Sequence, residues 1–244
     1  QLPVPVGESY IRKLPLPSTH PHLQRQLEAK VASQLDLAEY EGECTVLEGT
    51  ITRQMLQYAE ENQIDLALLG RKDQPSGSGI ATERFLRHSQ GSVLYLPERP
   101  NGAQSLQRLL LATDFSPHAA HALRQALALA HSLDPVPAID LLHVYDVPTA
   151  QAVSISREQG NFSQVIRRHA ESSMEEFLQG MPLDGLELRV HFQENTHFNT
   201  ARHIIDLARQ TQTDLIVAGA RGHSTYSSLL LGLVTEKLLR YHGH

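Results

Sequence analysis

The chain has no tryptophan and a single cysteine, Cys44, among 244 residues. One cysteine excludes an intrachain disulfide and fits a reducing compartment, so the expected location is the cytoplasm. No apolar run approaches the roughly 18 residues that a membrane span requires, so no transmembrane segment is expected. Positive charge is in deficit. With 21 Lys and Arg against 27 Asp and Glu, the net charge of −6 argues against a dedicated nucleic-acid surface. Absent motifs narrow the chemistry further: there is no Gly-x-x-x-x-Gly-Lys phosphate loop, no Gly-x-Ser-x-Gly nucleophile elbow and no cysteine pair for zinc. Histidine is plentiful, yet His118 and His121, or His191 and His197, form no His-Glu-x-x-His arrangement, and surface or cap roles are the plainer reading.

What the chain does contain is a glycine layout near its end. The strand-like run Asp214-Leu215-Ile216-Val217-Ala218 breaks into Gly219-Ala220-Arg221-Gly222, passes nine residues, and meets Gly232 ahead of Leu233-Val234-Thr235-Glu236. Glycines at a strand exit let backbone N–H groups approach an anion without a Cβ in the way, and the following helix adds its positive dipole end. The plainer reading of these glycines is a set of tight turns without a ligand. Arg221 and His223 flank Gly222 and suit phosphate oxygens, or else are simply solvated.

The layout occurs twice. At an offset of 149 residues, Asp65-Leu66-Ala67-Leu68-Leu69-Gly70 lies over Asp214 to Gly219, with Arg53 over Arg202 and Ala59 over Ala208. Downstream the offset becomes 153, and Gly79 to Arg87 matches Gly232 to Arg240. Two domains follow, 1–100 and 101–244. In the first copy Asp73 falls where Gly222 stands and Pro75 removes an N–H, so no nucleotide is expected there. Gly77-Ser78-Gly79 is too short a motif to argue from.

The second copy reads as alternating strands and helices. Leu109 to Ala112 is a strand ended by Thr113-Asp114-Phe115. Ser116-Pro117 then caps a helix carrying Leu123, Ala126, Leu127 and Ala130. Strands at Ile139–Val144 and Leu186–Phe192 and helices at Ser163–Leu178 and Thr200–Thr211 precede the glycine loop. This order predicts an α/β fold with a parallel, doubly wound sheet and a ligand beyond the strand C-terminal ends. In the first copy the spacing predicts helices at His22–Ala38, at Thr50–Asn62 and after Gly79. It also predicts strands at Cys44–Leu47, before Gly70, and at Ser92–Leu96. That copy lacks its initial strands, residues 2 to 6 resemble a loop after an absent strand, and the second copy lacks its last strand. The expectation is that the parent protein extends beyond Gln1 and His244, or that a partner's strands fill the gaps.

These residues resemble tandem universal stress proteins. The likeness covers nearly all of 105 to 244 and, less fully, 22 to 97. It implies adenine nucleotide alpha hydrolase-like domains with strand order 3-2-1-4-5. The family's ATP pattern is Gly-x-x-Gly, nine residues, Gly, then Ser or Thr. Gly219, Gly222 and Gly232 match it, while Leu233 stands where a hydroxyl is expected and keeps only its backbone N–H. The resemblance further implies nucleoside contacts from Thr113 and Asp114, adenine-edge reading by the Val144 backbone, and phosphate contacts around Val234 and Thr235. Asp114 also suits a plainer role as a capping carboxylate before Ser116. The implied cofactor is ATP, with Mg²⁺.

Two functions compete. One is a stress-response regulatory module that binds ATP at the second copy, with the first copy structural. The other is a nucleotide-free dimeric scaffold in which Leu233 marks the loss of binding. No general base stands beside a nucleophile, so enzymatic turnover would be at most slow ATP hydrolysis. The apolar strand Val93-Leu94-Tyr95-Leu96 invites homodimerisation, or the two copies pair within one chain.

Overall fold

The computed structural model of the protein describes residues 21–33, 42–70, 84–96, 105–147, 159–196, 198–223 and 231–240. The chain divides into two compact units, 1–64 and 65–244, so the first copy read from the sequence straddles the division. Asp73, Pro75, the Gly77–Gly79 segment, residues 2 to 6 and His197 lie outside the described residues.

The first unit holds helices α1 (Pro21–Ala32) and α2 (Ile51–Glu61). Among its described residues none is buried. The strand expected at Cys44–Leu47 is not formed. That segment's backbone is taken up by a side chain instead: Val46 N–H donates to Gln24 Oε1 at 3.1 Å, and Gln24 Nε2 donates to the Cys44 carbonyl. An amide side chain carries both a donor group and an acceptor group, enough to satisfy an extended segment locally. Helix α1 ends at Ala32, short of Ala38, and residues 34–41 fall outside the described set.

Helix α2 closes on a left-handed residue, Gln63 (φ 52°), with Ile64 N–H donating back to the Ala59 carbonyl at 2.9 Å. The same geometry recurs 149 residues later. Gln212 (φ 54°) follows helix α5 (Thr200–Gln210), and Thr213 N–H donates to the Ala208 carbonyl at 2.8 Å. Each bond runs from the second residue past the cap to an orphan carbonyl of the last turn.

Among its described residues the second unit has two parallel sheets. Strands β1 (Leu66–Gly70) and β2 (Ser92–Leu96) pair from Leu66↔Ser92 to Gly70↔Leu96. Between them in sequence, a helical turn at 84–88 buries Phe85. The larger sheet is built from β3 (Arg108–Thr113), β4 (Ala138–Tyr145), β5 (Leu188–Glu194) and β6 (Leu215–Ala218), in the order β5-β4-β3-β6. Counted within the second copy, that is 3-2-1-4. Strand β5 starts two residues later than Leu186 because Leu186 N–H still closes a turn onto the Leu183 carbonyl, past Gly185 at φ 75°.

Successive strand residues face opposite sides of a sheet, and the helices sort accordingly. Leu109, Leu111, Ile139 and Leu141 pack with Leu123, Ala126, Leu127 and Ala130 of helix α3 (Pro117–His131) and with Met174 of α4 (Gln159–Leu178). On the other face, Leu110 and Leu142 pack with Ala201, Ile204, Ile205, Leu207 and Ala208 of α5 and with Leu238 of α6 (Leu233–Arg240). Arg87 of the 84–88 turn pairs with Glu236 of α6 at 3.5 Å.

One charge lies inside this sheet. Asp140 on β4 is 0% exposed and is held by Arg108 Nη1 of β3 at 3.2 Å and His191 Nε2 of β5 at 2.7 Å. A buried carboxylate tolerates desolvation only when paired and hydrogen-bonded. His191, half-buried on the edge strand β5, thus has a structural partner in Asp140. Asp140→Ala should lower stability by about 3 kcal/mol, because Arg108 then loses its buried partner; urea unfolding of the two proteins measures this, and a change near zero would refute it.

Candidate functional site

Parallel pairing brings the candidate residues to one edge. Ala112 of β3 pairs with Ala218 of β6, and Thr113 pairs with His143 of β4, so the chain leaves all three strands side by side at their C-terminal ends. Val144 follows His143 on the same edge, its side chain packed on the Leu110–Leu142 face.

The turn from β3 into α3 is tight. Thr113 is buried, and its Oγ1 accepts from Phe115 N–H at 2.9 Å. Asp114 Oδ1 accepts from Ser116 N–H at 3.0 Å, and Ser116 Oγ caps the helix by accepting from Ala119 N–H at 3.2 Å. The helix cap is thus made by Ser116, and the Asp114 bond to the Ser116 amide closes the turn before it. That bond is not the only one Asp114 makes, since Oδ2 accepts from His223 N–H of the glycine loop at 3.1 Å.

The three glycines are required by close approach rather than by φ. A Cβ on Gly219 would sit 3.1 Å from the Ala119 nitrogen and the His118 carbonyl carbon in the first turn of α3. One on Gly222 would collide with Asp114 Oδ2. One on Gly232 would lie 3.3 Å from the Ala220 carbonyl oxygen, to which Gly232 N–H donates at 2.8 Å. Thr235 Oγ1 donates to the Gly219 carbonyl at 2.8 Å, tying the start of α6 to the exit of β6. Its single hydroxyl proton is thereby committed.

Leu233 is 76% exposed, whereas Val234 packs into the core beneath the loop. Arg221 is half-buried and His223 exposed. At the first positions of α6 the N–H groups of Leu233, Val234 and Thr235 have no acceptor within the helix and carry its positive end. The edge thus unites Thr113, Asp114, Gly219, Arg221, Gly222, Gly232, Leu233, Val234 and Thr235, with Val144 one strand over. Such an edge offers amide donors and a guanidinium to an anion and a carboxylate to hydroxyls. Among the described residues no three His, Cys, Asp or Glu side chains are grouped to hold a metal ion.

Sequence reasoning passed over His143 and Phe115. Phe115 adopts φ 64°, unusual for a bulky side chain, and its ring stacks on the His143 imidazole with centroids 4.2 Å apart and planes 29° from parallel. Phe177 meets Phe115 edge-on at 5.7 Å, and Phe192 meets His143 at 6.5 Å. His143 Nδ1 donates to the Thr113 carbonyl at 2.9 Å. The available signal was a polar residue in the middle of Leu141-Leu142-His143-Val144.

Burial lowers the pKa of His143 from 6.5, against the opposing pull of its Thr113 hydrogen bond and the Asp114 charge. A depressed histidine takes up its proton more readily when unfolded, so the folded state loses stability as pH falls through 6.5 toward the lowered value. His143→Gln should flatten this part of the stability–pH curve relative to the parent protein. Identical slopes for the two in acid denaturation would show that His143 carries none of it.

The model of the universal stress protein family matches residues 105–241. No curated protein matches the chain. Among solved structures, a universal stress protein from Archaeoglobus fulgidus DSM 4304 is 18% identical with a TM-score of 0.60, covering 94% of this chain and 78% of that one. A protein of the universal stress protein family from Burkholderia pseudomallei is 24% identical with a TM-score of 0.42, over 57% of this chain and 91% of its own. A universal stress protein in complex with cAMP is 20% identical with a TM-score of 0.32, over 56% and 92% respectively.

Proposed function

Starting from the universal stress protein family, to which this chain belongs, we propose that the protein is a stress-response regulatory module that binds ATP at its second copy. The first copy is a structural companion, with Asp73 and Pro75 in place of an open glycine loop. The observation that carries the reading is the convergence of the β3 exit, the glycine turn after β6 and the N-terminus of α6 into one stitched cradle, in which a Cβ on any of the three glycines would crowd a neighbour.

The residues suit an adenine nucleotide from end to end. Asp114 is an acceptor for ribose hydroxyls, beside Thr113 and the backbone of Val144. Amides from Gly219 to Gly222 and at Leu233, Val234 and Thr235 suit the phosphates, with Arg221 as the countercharge. Mg²⁺ would arrive with the nucleotide and neutralise the phosphate oxygens. Binding, with at most slow ATP hydrolysis, is the proposed role. The Arg87–Glu236 pair supports an internal pairing of the two copies, because the residues lie on segments that align at the 153-residue offset. Homodimer formation through β2 and a cytoplasmic location complete the proposal. No helix among the described residues is long and apolar enough to cross a membrane.

A second reading has its own observation. The Thr235 hydroxyl is spent on Gly219, Leu233 offers none, and Asp114 holds one loop amide, bonds that would suit a scaffold that never meets a nucleotide.

Calorimetry with ATP and Mg²⁺ separates the two. The parent protein should release heat and gain about 2.7 kcal/mol of stability at a hundredfold excess over Kd. Gly222→Asp, which copies the first repeat, should do neither. No heat and no thermal shift with the parent protein would leave the scaffold reading in place.

A further inference from the structure

We propose that Asp114 decides which anions the glycine loop admits: its carboxylate serves as an internal anion on the loop, and only a ligand bearing a ribose draws it away. The inference rests on the nucleotide reading above and specifies the ligand class that can open the loop.

The two carboxylate oxygens divide their work. Oδ1 accepts from Ser116 N–H at 3.0 Å, within the turn after β3, and Oδ2 accepts from His223 N–H at 3.1 Å, across on the glycine loop. The bare Cα of Gly222 is what lets Oδ2 reach the loop, since a Cβ there would collide with it. A hydrogen bond from a backbone amide to an ionised carboxylate is stronger than one between neutral groups, so this amide is well held. The other ties of the cradle, Gly232 N–H to Ala220 and Thr235 Oγ1 to Gly219, do not involve Asp114 and persist without it.

Consider what an incoming anion meets. Free phosphate or polyphosphate finds the His223 amide already engaged and a like charge beside it. A nucleotide arrives differently. Its vicinal ribose hydroxyls are neutral donors that can satisfy the carboxylate, which then releases the His223 N–H to the phosphate of the same molecule. Sugar recognition and phosphate recognition are joined through one side chain, and the loop accepts nucleotides while refusing inorganic polyphosphate.

Asp114→Asn and Gly222→Ala test this by independent routes, the first removing the charge and the second pushing the carboxylate aside. In the ligand-free protein, hydrogen exchange at the His223 amide should quicken about tenfold in each variant, while the Ala119 amide, capped by Ser116 Oγ, keeps its protection and shows that the fold is intact. Calorimetry with sodium tripolyphosphate should show binding to both variants about tenfold tighter than to the parent protein, and Asp114→Asn should also lose affinity for adenosine. Unchanged His223 exchange in both variants, or tripolyphosphate affinity no higher than that of the parent, would overturn the proposal. Should the parent protein bind neither ATP nor adenosine, the nucleotide reading falls by itself, and the exchange result still decides whether Asp114 occupies the loop.

Discussion

The placement of β6 beside β3 is the constraint on which the rest depends. These strands are separated by about a hundred residues of chain, and a parallel pair has no hairpin to set its register. Asp214 supplies the missing instruction. Its Oδ2 accepts from the N–H groups of both Gln107 and Arg108, at 2.8 and 2.9 Å, while its own N–H donates to the Arg108 carbonyl at 3.0 Å. One carboxylate thus pins the start of β6 to the start of β3, and four rungs later the strand delivers Gly219 against the first turn of α3. A slip of one residue would exchange the side chains that β6 presents to the two packed faces and carry the loop away from Asp114.

The opposite end of the same pair is held by another aspartate, and the site lies there. Thr113, Asp114 and Phe115 form a turn whose last residue, Phe115, has an uncommon backbone conformation. Such a conformation persists where its surroundings over-determine it. Here they do: the Thr113 hydroxyl takes the Phe115 amide, and the ring is stacked on His143 and edged by Phe177. Core packing on the α3–α4 face of the sheet thereby supports a polar cluster at its edge. The cluster on the other face, where Val234 and Leu238 meet Leu110 and Leu142, anchors α6 beneath the loop.

Much of the second copy was legible because its signals are local. Ser116-Pro117 is a helix start whatever surrounds it, and the cap is formed as that pair implies. Apolar runs bounded by turn residues mark β3, β4 and β6 for the same reason. The first copy was harder to read. Cys44 to Leu47 has strand composition, but a strand exists only with a neighbour to bond, and the Gln24 side chain took that place. The glycine spacing was visible too, but not its cause. What presses on Gly222 is a carboxylate 108 residues earlier, and what presses on Gly219 is the backbone of another helix.

By itself the sequence determined the α/β alternation, the Ser116-Pro117 helix start and the glycine spacing of one loop, since each follows from near-neighbour chemistry. Tertiary structure alone decided that Asp114 bonds the loop amide of His223, that Thr235 turns its hydroxyl to Gly219, that His143 sits under Phe115, and that Asp140 is shared between Arg108 and His191. Each of these contacts joins residues from separate elements at distances set by strand register and helix packing, and no local pattern of residue types encodes where a side chain will find its partner.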